Sequence, residues 1–473
     1  MRVPLAYNIE SRSASTAKDA RVVNAYIDTE GQIRRVIKRP GLASFTVTPA
    51  LAAASAQGMY PFKATGKLYP IVSNTLYEVT TAGASTSKGA VTAGLYSYTE
   101  TSDFAYLFFH NGTDAYYLDS PTATLTHITD VNFPTNQTPA FTLAPGAVYL
   151  DDTVYVMTTT GRIYNSGVET VANGTWNSLN YVTKSSEPDG GVAICKHLSY
   201  LVAFGQWSGE FFYDAANPTG SPLARNDTAK MEVGCANGQS LVQFLTNQTS
   251  LWVGQARETG RGVYKLDGLA PKKISTKVID SYLNADSLTN VRAWAIMVEG
   301  HPMYVLTLKD SGYTFIYDLH ESMWYQWTSD NGAGVESFFT QEFFSSIGGV
   351  SYLLGGSTGL ISKMNNTTYQ DLGVSINFRV VTPRFDGGTI KNKFHRNLTV
   401  IGDTFTSAGT ISIKHSEDDY VTWSTYRTVD MTQKKPVIWQ LGYFKRRAFD
   451  VWSTTNLPIR LEALESEVEG GID

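Results

Sequence analysis

The segment Lys67-Leu68-Tyr69-Pro70-Ile71-Val72, followed past a tight turn by Leu76-Tyr77-Glu78-Val79, decides how this chain is read. The unit is read as an alternating strand, a tight turn and a second strand often ending in Tyr-x-(Leu/Val/Asp). The unit recurs along the chain. Ala105-Tyr106-Leu107-Phe108-Phe109 precedes Ala115-Tyr116-Tyr117-Leu118-Asp119, and Ala147-Val148-Tyr149-Leu150 precedes Val154-Tyr155-Val156-Met157. Ser199-Tyr200-Leu201-Val202-Ala203-Phe204 precedes Glu210-Phe211-Phe212-Tyr213-Asp214, and further copies begin near Leu241, Met303 and Tyr352. A spacing of roughly 35 to 60 residues suits four-stranded propeller blades carrying loop insertions. One blade cannot bury both its faces, so blades stack around an axis, and closing the ring leaves few strand edges free. Six or seven units are expected; the alternative is a string of unrelated hairpins in a sandwich.

The rest of the chain is arranged around that array. Residues 1–55 form an extended segment expected to join the propeller, which occupies 56–370. Lys277-Val278-Ile279-Asp280-Ser281-Tyr282-Leu283 places its apolar residues on one helical face, so a short helix is expected near 276–290 as an excursion between blades. Beyond residue 370 the strands lengthen (Val374 to Thr382, Phe394 to Ile401, Thr410 to Lys414, Ala448 to Ser453, Ile459 to Leu464), which reads as a β-sandwich over 371–473. Its acidic end, Glu462 to Asp473, is expected to be loosely ordered. The fold class is thus all-β, a β-propeller followed by a C-terminal β-sandwich.

Composition agrees. Among 473 residues, 12% are aromatic, with 27 Tyr, and 40 are Gly, a mixture of pleat-packing side chains and turn formers. Charged residues are only 17%, below the roughly 25% of ordinary soluble domains. A net charge of −5 disfavours a sequence-reading DNA binder, which needs a basic face to displace counterions. No apolar run reaches the length of a membrane span, and the first ten residues lack the apolar core of a secretory signal, so synthesis in the cytoplasm is expected. Asn-x-Ser/Thr triplets such as Asn111-Gly112-Thr113 and Asn247-Gln248-Thr249 then read as turn chemistry.

Signals for catalysis are sparse. Cys195 and Cys235 make no disulfide framework, the seven histidines lack metal-ligand spacing, and nucleophile-elbow, P-loop and Rossmann patterns are missing. Asp151-Asp152 and Asp418-Asp419 are adjacent pairs that a strand would send to opposite faces, so each is read as a turn. Ser416-Glu417-Asp418-Asp419-Tyr420-Val421-Thr422-Trp423 is similar to the Asp-box hairpin, with Tyr420 where the box has Gly. It is read as a structural turn placing Trp423 in the sandwich core. No catalytic residue, metal or cofactor is expected. Basic clusters at Arg34, Arg35, Lys38 and Arg39, at Lys272-Lys273, at Lys434-Lys435 and at Lys445, Arg446 and Arg447 are small and separate, and are read as solvated faces or protein interfaces. Of these, Arg34, Arg35, Lys38, Arg39, Lys445, Arg446 and Arg447 are the candidate interface residues.

Several stretches carry a family resemblance. Arg21-Val22-Val23-Asn24-Ala25-Tyr26 with Arg39-Pro40-Gly41-Leu42, then Ser185-Ser186-Glu187-Pro188-Asp189-Gly190 with Tyr200-Leu201-Val202-Ala203-Phe204-Gly205 and Glu210-Phe211-Phe212-Tyr213, are the first. The run from Ile274-Ser275-Thr276 and Ile279 through Glu299-Gly300-His301, Tyr304-Val305-Leu306-Thr307 and Tyr317-Asp318-Leu319 to Trp324 is the most specific, because its order and spacing hold over about fifty residues. Lys445-Arg446-Arg447 with Pro458-Ile459-Arg460-Leu461 ends the series. Together they resemble the packaged-DNA stabilisation proteins, or tail hub (nozzle) subunits, of short-tailed bacteriophages. The resemblance implies a structural virion protein: a ring of six copies beneath the portal and its adaptor, continuing the channel through which double-stranded DNA passes without sequence recognition. It also implies that the ring retains packaged DNA and carries the tail needle and the tailspikes or fibres, with no membrane partner. The resemblance brings no catalytic residues. The competing reading is a glycan-binding or glycan-cleaving propeller acting as a receptor-binding tail protein.

Overall fold

A computed structural model describes residues 2–3, 5, 9, 20–101, 105–244, 248–331 and 334–470. Antiparallel sheets follow one another in chain order. The first four blades run from Ala56–Phe62 to Ser85–Ala90, from Ser97–Glu100 to Leu125–His127, from Val148–Leu150 to Tyr181–Thr183, and from Ala193–His197 to Leu223–Met231. The fifth extends from Gly234–Cys235 and Val242–Phe244 to Ala270–Lys273, the sixth from Val291–Val298 to Met323–Asp330. The seventh uses Gln341–Ile347, Val350–Gly355 and Ile361–Asn365, and takes its fourth strand, Gly41–Ser44, from the start of the chain. Innermost strands of successive blades touch all the way round, and Gln341–Ile347 meets Ala56–Phe62, so the ring is closed with seven blades.

Burial follows from the alternation. Tyr69, Ile71, Leu107 and Leu118 meet between the first and second blades, and Phe108, Val154, Val156 and Trp176 between the second and third. The central strands thus give one set of side chains to the blade before them and the other set to the blade after them. The double-aspartate turn is as read: Asp151 and Asp152 both adopt left-handed φ values (44° and 61°) between Val148–Leu150 and Thr153–Met157. The α-helix Lys277–Ala285, capped by Thr276 Oγ1 accepting from the Ile279 N–H, buries Val278, Ile279 and Leu283 between the fifth and sixth blades. Asn111 is turn chemistry, its Oδ1 accepting from the Thr113 and Asp114 N–H groups at 3.0 and 2.8 Å, whereas Asn247 lies outside the described residues.

Two further sheets face each other beyond the seventh blade. One has the order Ala25–Glu30, Ile33–Lys38, Arg460–Gly470, Lys393–Gly402, Val437–Phe444; the other continues from Arg21–Val23 through Phe378–Val381, Ala448–Ser453 and Thr410–Ser416 to Arg427–Asp430. Arg21–Val23 also pairs in parallel with the last strand of the sixth blade, at Val23 and Gln326, so blade and sandwich share one ten-stranded sheet. A single core holds Val22, Ile27, Trp327, Phe339, Val380, Leu398, Val451 and Leu464.

Three expectations change. Among the described residues of 1–55, Gly41–Ser44 alone completes a blade; Arg21–Val23, Ala25–Glu30 and Ile33–Lys38 build sandwich sheets, because their apolar faces complement the C-terminal strands. Glu462 to Gly470 is not loose: it lies in an eleven-residue strand between Lys393–Gly402 and Ile33–Lys38, with Leu461, Ala463, Leu464 and Ser466 buried and Glu465, Glu467 and Glu469 exposed. Its acidic composition hid a period-two pattern; residues 471–473 lie outside the described residues. Trp423 is half-buried at the surface, with the Lys414 ammonium 5.2 Å from its ring, and is not part of the core.

Candidate functional site: the junction of propeller, sandwich and N-terminal segment

Asn24 and Arg39 stand at the centre of the junction. Asn24 takes a left-handed φ of 52° between Arg21–Val23 and Ala25–Glu30, where a short amide side chain tolerates the conformation. Its Nδ2 donates to Thr328 Oγ1 at 2.7 Å and to the Asn377 carbonyl at 3.0 Å; its Oδ1 accepts from the Thr328 N–H and from Arg39 Nε. Four bonds therefore tie the sixth blade, the first strand of the sandwich and the N-terminal segment to one side chain.

Arg39 is completely buried. Its guanidinium forms a two-toothed pair with Asp371, Nη1 to Oδ1 at 2.9 Å and Nη2 to Oδ2 at 2.5 Å, and Nη2 also reaches the Thr328 carbonyl. Its flat face lies 5.0 Å from the Phe339 ring and 5.4 Å from that of Trp327. A planar, permanently charged fork matched to a carboxylate is what a buried ion pair requires. Pro40 and Gly41 then lead into the closing strand. A Cβ on Gly41 would sit 2.3 Å from the Gln370 carbonyl oxygen, so that approach admits glycine alone.

The same seam collects the most specific sequence run. Tyr26 Oη donates to Glu299 Oε2 at 2.6 Å, and Thr29 Oγ1 to Glu321 Oε2 at 2.8 Å. His301 Nδ1 lies 2.8 Å from Asp318 Oδ2, and its Nε2 is 3.6 Å from Asp28 Oδ1. Burial works to lower the His301 pKa, but the hydrogen bond and charge of Asp318, with Asp28 behind, raise it overall. The His301 ring is thus held between the blade and the N-terminal hairpin.

The predicted interface residues divide in two. Lys38, Arg39 and Arg447 are internal struts. Lys38 Nζ donates to the Thr455 carbonyl at 2.7 Å, and burial, with Arg39 beside it, pulls its pKa down to about 7. Arg447 pairs with Glu417, donates to His395 Nδ1 at 3.0 Å and stacks over Phe444. Arg35 is half-buried between Glu30 and Glu462. Arg34, Lys445 and Arg446 are exposed, as are Lys434 and Lys435. The structure does not bring the seven together into one basic face.

Other side chains complete the picture, among them Lys184, Arg225, Asp371, Trp439 and Tyr443, which sequence reasoning did not single out. Lys184, fully buried, pairs with Asp189 and lies 4.0 Å from Glu210; Arg225 reaches Glu210 from the surface. Asp189 also accepts from the Trp207 and Ser208 N–H groups, which explains the Ser185–Gly190 stretch as a latch on the fourth blade. Asp371 had no local signal, since its partner is distant in sequence. Around Asp418 the hairpin has the Asp-box geometry: its carboxylate accepts from the Thr422 N–H and hydroxyl, which holds its pKa near about 2, and Tyr420 takes φ 69° where the box has Gly. On the outer face of the first sandwich sheet, Trp439 and Tyr443 are 54% and 68% exposed, near Glu465, Glu467 and Glu469.

Among the described residues no three His, Cys, Asp or Glu side chains are grouped to hold a metal ion, and no helix is long and apolar enough to cross a membrane. The charged groups of the junction are committed to one another, an arrangement that locks elements in place.

Comparison with known proteins bears on this arrangement. The protein-family model described as bacteriophage P22 Gp10, beta-propeller, matches residues 23–341, about two thirds of the chain. No curated protein matches. Among solved structures, the N-terminal domain of Nup159 is similar at 10% identity and TM-score 0.40, over 73% of this chain and 98% of that one. BamB from Moraxella catarrhalis is similar at 12% identity and TM-score 0.38, over 72% and 92%. The Cps50 (Swd1) β-propeller domain of Myceliophteria thermophila is similar at 9% identity and TM-score 0.41, over 67% and 98%.

Proposed function

Because the chain belongs to the bacteriophage P22 Gp10 β-propeller family, we propose that it is the tail hub, or nozzle, subunit of a short-tailed phage. In this reading six copies form a ring below the portal and adaptor, continue the DNA channel, retain packaged DNA, and anchor the needle and the spikes or fibres. It is a virion protein with a structural and not an enzymatic role.

The observation that carries the proposal, beside family membership, is the stitched junction. A hub must transmit load between the parts it holds without flexing. Here propeller and sandwich share a continuous sheet through Arg21–Val23, and the Asn24, Arg39 and Asp371 cluster fixes their relation. Rigid wedges of one kind, related by a closing rotation, make a ring. Exposed Trp439 and Tyr443 supply the large, low-entropy contact area that subunit interfaces favour. Arg34, Lys445 and Arg446 are assigned to protein contacts, leaving the lumen neutral or acidic, since every phosphate contact on the channel wall is an attraction that DNA must break to move. A reconstruction of the tail with Arg34 and Lys445-Arg446 lining the lumen would contradict that assignment.

A further inference from the structure

One end of the fourth and fifth blades carries an open cleft of about 490 Å³. Its walls are Ser186-Glu187, the turn at Trp207-Ser208, the connection 230–233 between the two blades, and the turn 257–259 of the fifth blade. Two of these walls hang from one buried ion network. The side chains of Lys184, Asp189 and Glu210 are at most 3% exposed. Asp189 accepts from the Trp207 and Ser208 N–H groups at 2.8 and 2.9 Å, and Glu210 accepts from the N–H and the hydroxyl of Ser186, both at 2.8 Å. The Gly205 carbonyl accepts from the Cys235 N–H at 2.9 Å, which ties the Trp207 turn to the fifth blade. Taking such charges out of water costs about what their attraction returns, so the network adds little stability. What it secures here is the position of two walls.

The aromatic side chain so placed is uncovered. Trp207 is half-buried, no aromatic ring packs on its indole, and its Nε1–H makes no hydrogen bond among the described residues. Trp252 and Trp324, by contrast, are fully buried and donate their Nε1–H groups to the Gly234 and Ile274 carbonyls. Met231, Val233 and Tyr264 supply an apolar floor beside Trp207. Around that floor stand the carboxylates Glu187, Glu232 and Glu258 and the cations Lys230 and Arg257. Glu187 and Arg257 pair at 3.2 Å. The side chains of Lys230, Glu232 and Glu258 are exposed and make no hydrogen bond or ion pair among the described residues. A rigidly held indole without a stacking partner, ringed by free groups of both signs, is the reverse of a structural tryptophan.

We propose that this cleft binds a neutral saccharide. One face of a pyranose ring lies on the Trp207 indole, its C–H groups against the negative face of the ring. A hydroxyl both donates and accepts, so the sugar donates to Glu232 and Glu258 and accepts from Lys230. A ligand with a net charge of either sign would meet a repelling group on the same rim. The volume lies within the roughly 300–1,000 Å³ of small-molecule pockets, room for a disaccharide. This inference is independent of the tail-hub reading.

Titrating the full chain by calorimetry with maltose, cellobiose, lactose and N,N′-diacetylchitobiose tests it. Saturable one-to-one binding of at least one sugar is expected, and sialyllactose, which adds a carboxylate, binds no tighter than lactose. Trp207→Ala is expected to weaken the bound sugar by about tenfold or more, the loss of a central aromatic contact. Trp439→Ala, at an exposed tryptophan outside the cleft, binds like the parent. Cooperative melting serves as the fold check. If Trp207→Ala does not fold, Glu232→Gln with Glu258→Gln, at two exposed positions, decides, with the same loss expected. Absence of saturable binding for every sugar, tighter binding of sialyllactose than of lactose, parental affinity in the deciding variant, or an equal loss in Trp439→Ala overturns the proposal.

Discussion

Replacing Arg39 by Met keeps the length of the side chain and much of its contact with Phe339 and Trp327, but deletes the charge that neutralises Asp371. In the native protein the guanidinium makes two bonds to Asp371 and one each to Asn24 Oδ1 and the Thr328 and Pro40 carbonyls, with no exposure to water. Removing one member of a buried pair strands the other, at a cost of about 3–5 kcal/mol, whereas an exposed pair contributes about 1 kcal/mol or less. Asp371 is 15% exposed, which keeps the expected loss nearer the lower figure, about 3 kcal/mol. Urea unfolding followed by tryptophan fluorescence is a suitable assay, because Trp327 is a neighbour of the guanidinium and reports the junction directly. A double variant, Arg39→Met with Asp371→Leu, removes both charges and is expected to recover more than half of the loss. If Arg39→Met costs under about 1 kcal/mol, as a surface pair would, or if the double variant is no better than the single, the junction is not held as argued.

Other consequences are open to measurement. Gly41→Ala drives a Cβ against the Gln370 backbone and is expected to lower stability by about 1–3 kcal/mol, read as a lower melting temperature; unchanged melting would mean the strand shifts freely. Burial, with Arg447 beside it, depresses the His395 pKa to about 4, so the unfolded chain takes a proton below about pH 6.5 that the folded chain refuses. Stability is therefore complete above that pH and falls toward pH 4 by about 3 kcal/mol, and His395→Asn is expected to flatten this slope in urea midpoints taken at pH 7 and 4.5. His301 acts in the opposite sense: its raised pKa gives stability that is full below the unfolded value and is lost as pH rises through the folded one, so amide exchange over Ala25–Lys38 is expected to quicken on the alkaline side. Lys445→Glu with Arg446→Glu is expected to leave the melting of the isolated chain within about 0.5 kcal/mol of the parent while blocking incorporation into tails; normal tails from this variant would remove both residues from the interface.

The blades were legible because short apolar and aromatic runs such as Lys67–Val72 and Tyr106–His110, buried on both faces between neighbouring blades, recur with tight turns at blade spacing. The helix Lys277–Ala285 was legible for the matching reason, an apolar face at helical spacing. What local pattern does not carry is the long-range return of the N-terminal segment. Nothing within Ala25–Lys38 announces a partner at Arg460–Gly470, since strand pairing across more than four hundred residues is a tertiary choice. The basic clusters misled for a related reason. A charge counted in sequence has no burial attached, and Arg39 and Arg447 are neutralised by Asp371 and Glu417, which are remote in the chain. The terminal strand shows that a run rich in Glu still makes a strand when the residues between the carboxylates are Leu, Ala, Ser and Val.

A reconstruction of the intact phage tail at side-chain resolution tests the central claim most directly. The account predicts a closed ring of this chain around the DNA path beneath the portal and adaptor, each copy with its sandwich fixed to the sixth blade through Arg21–Val23. A tail whose density below the portal is filled by a different polypeptide, with this chain missing from the particle, would contradict it.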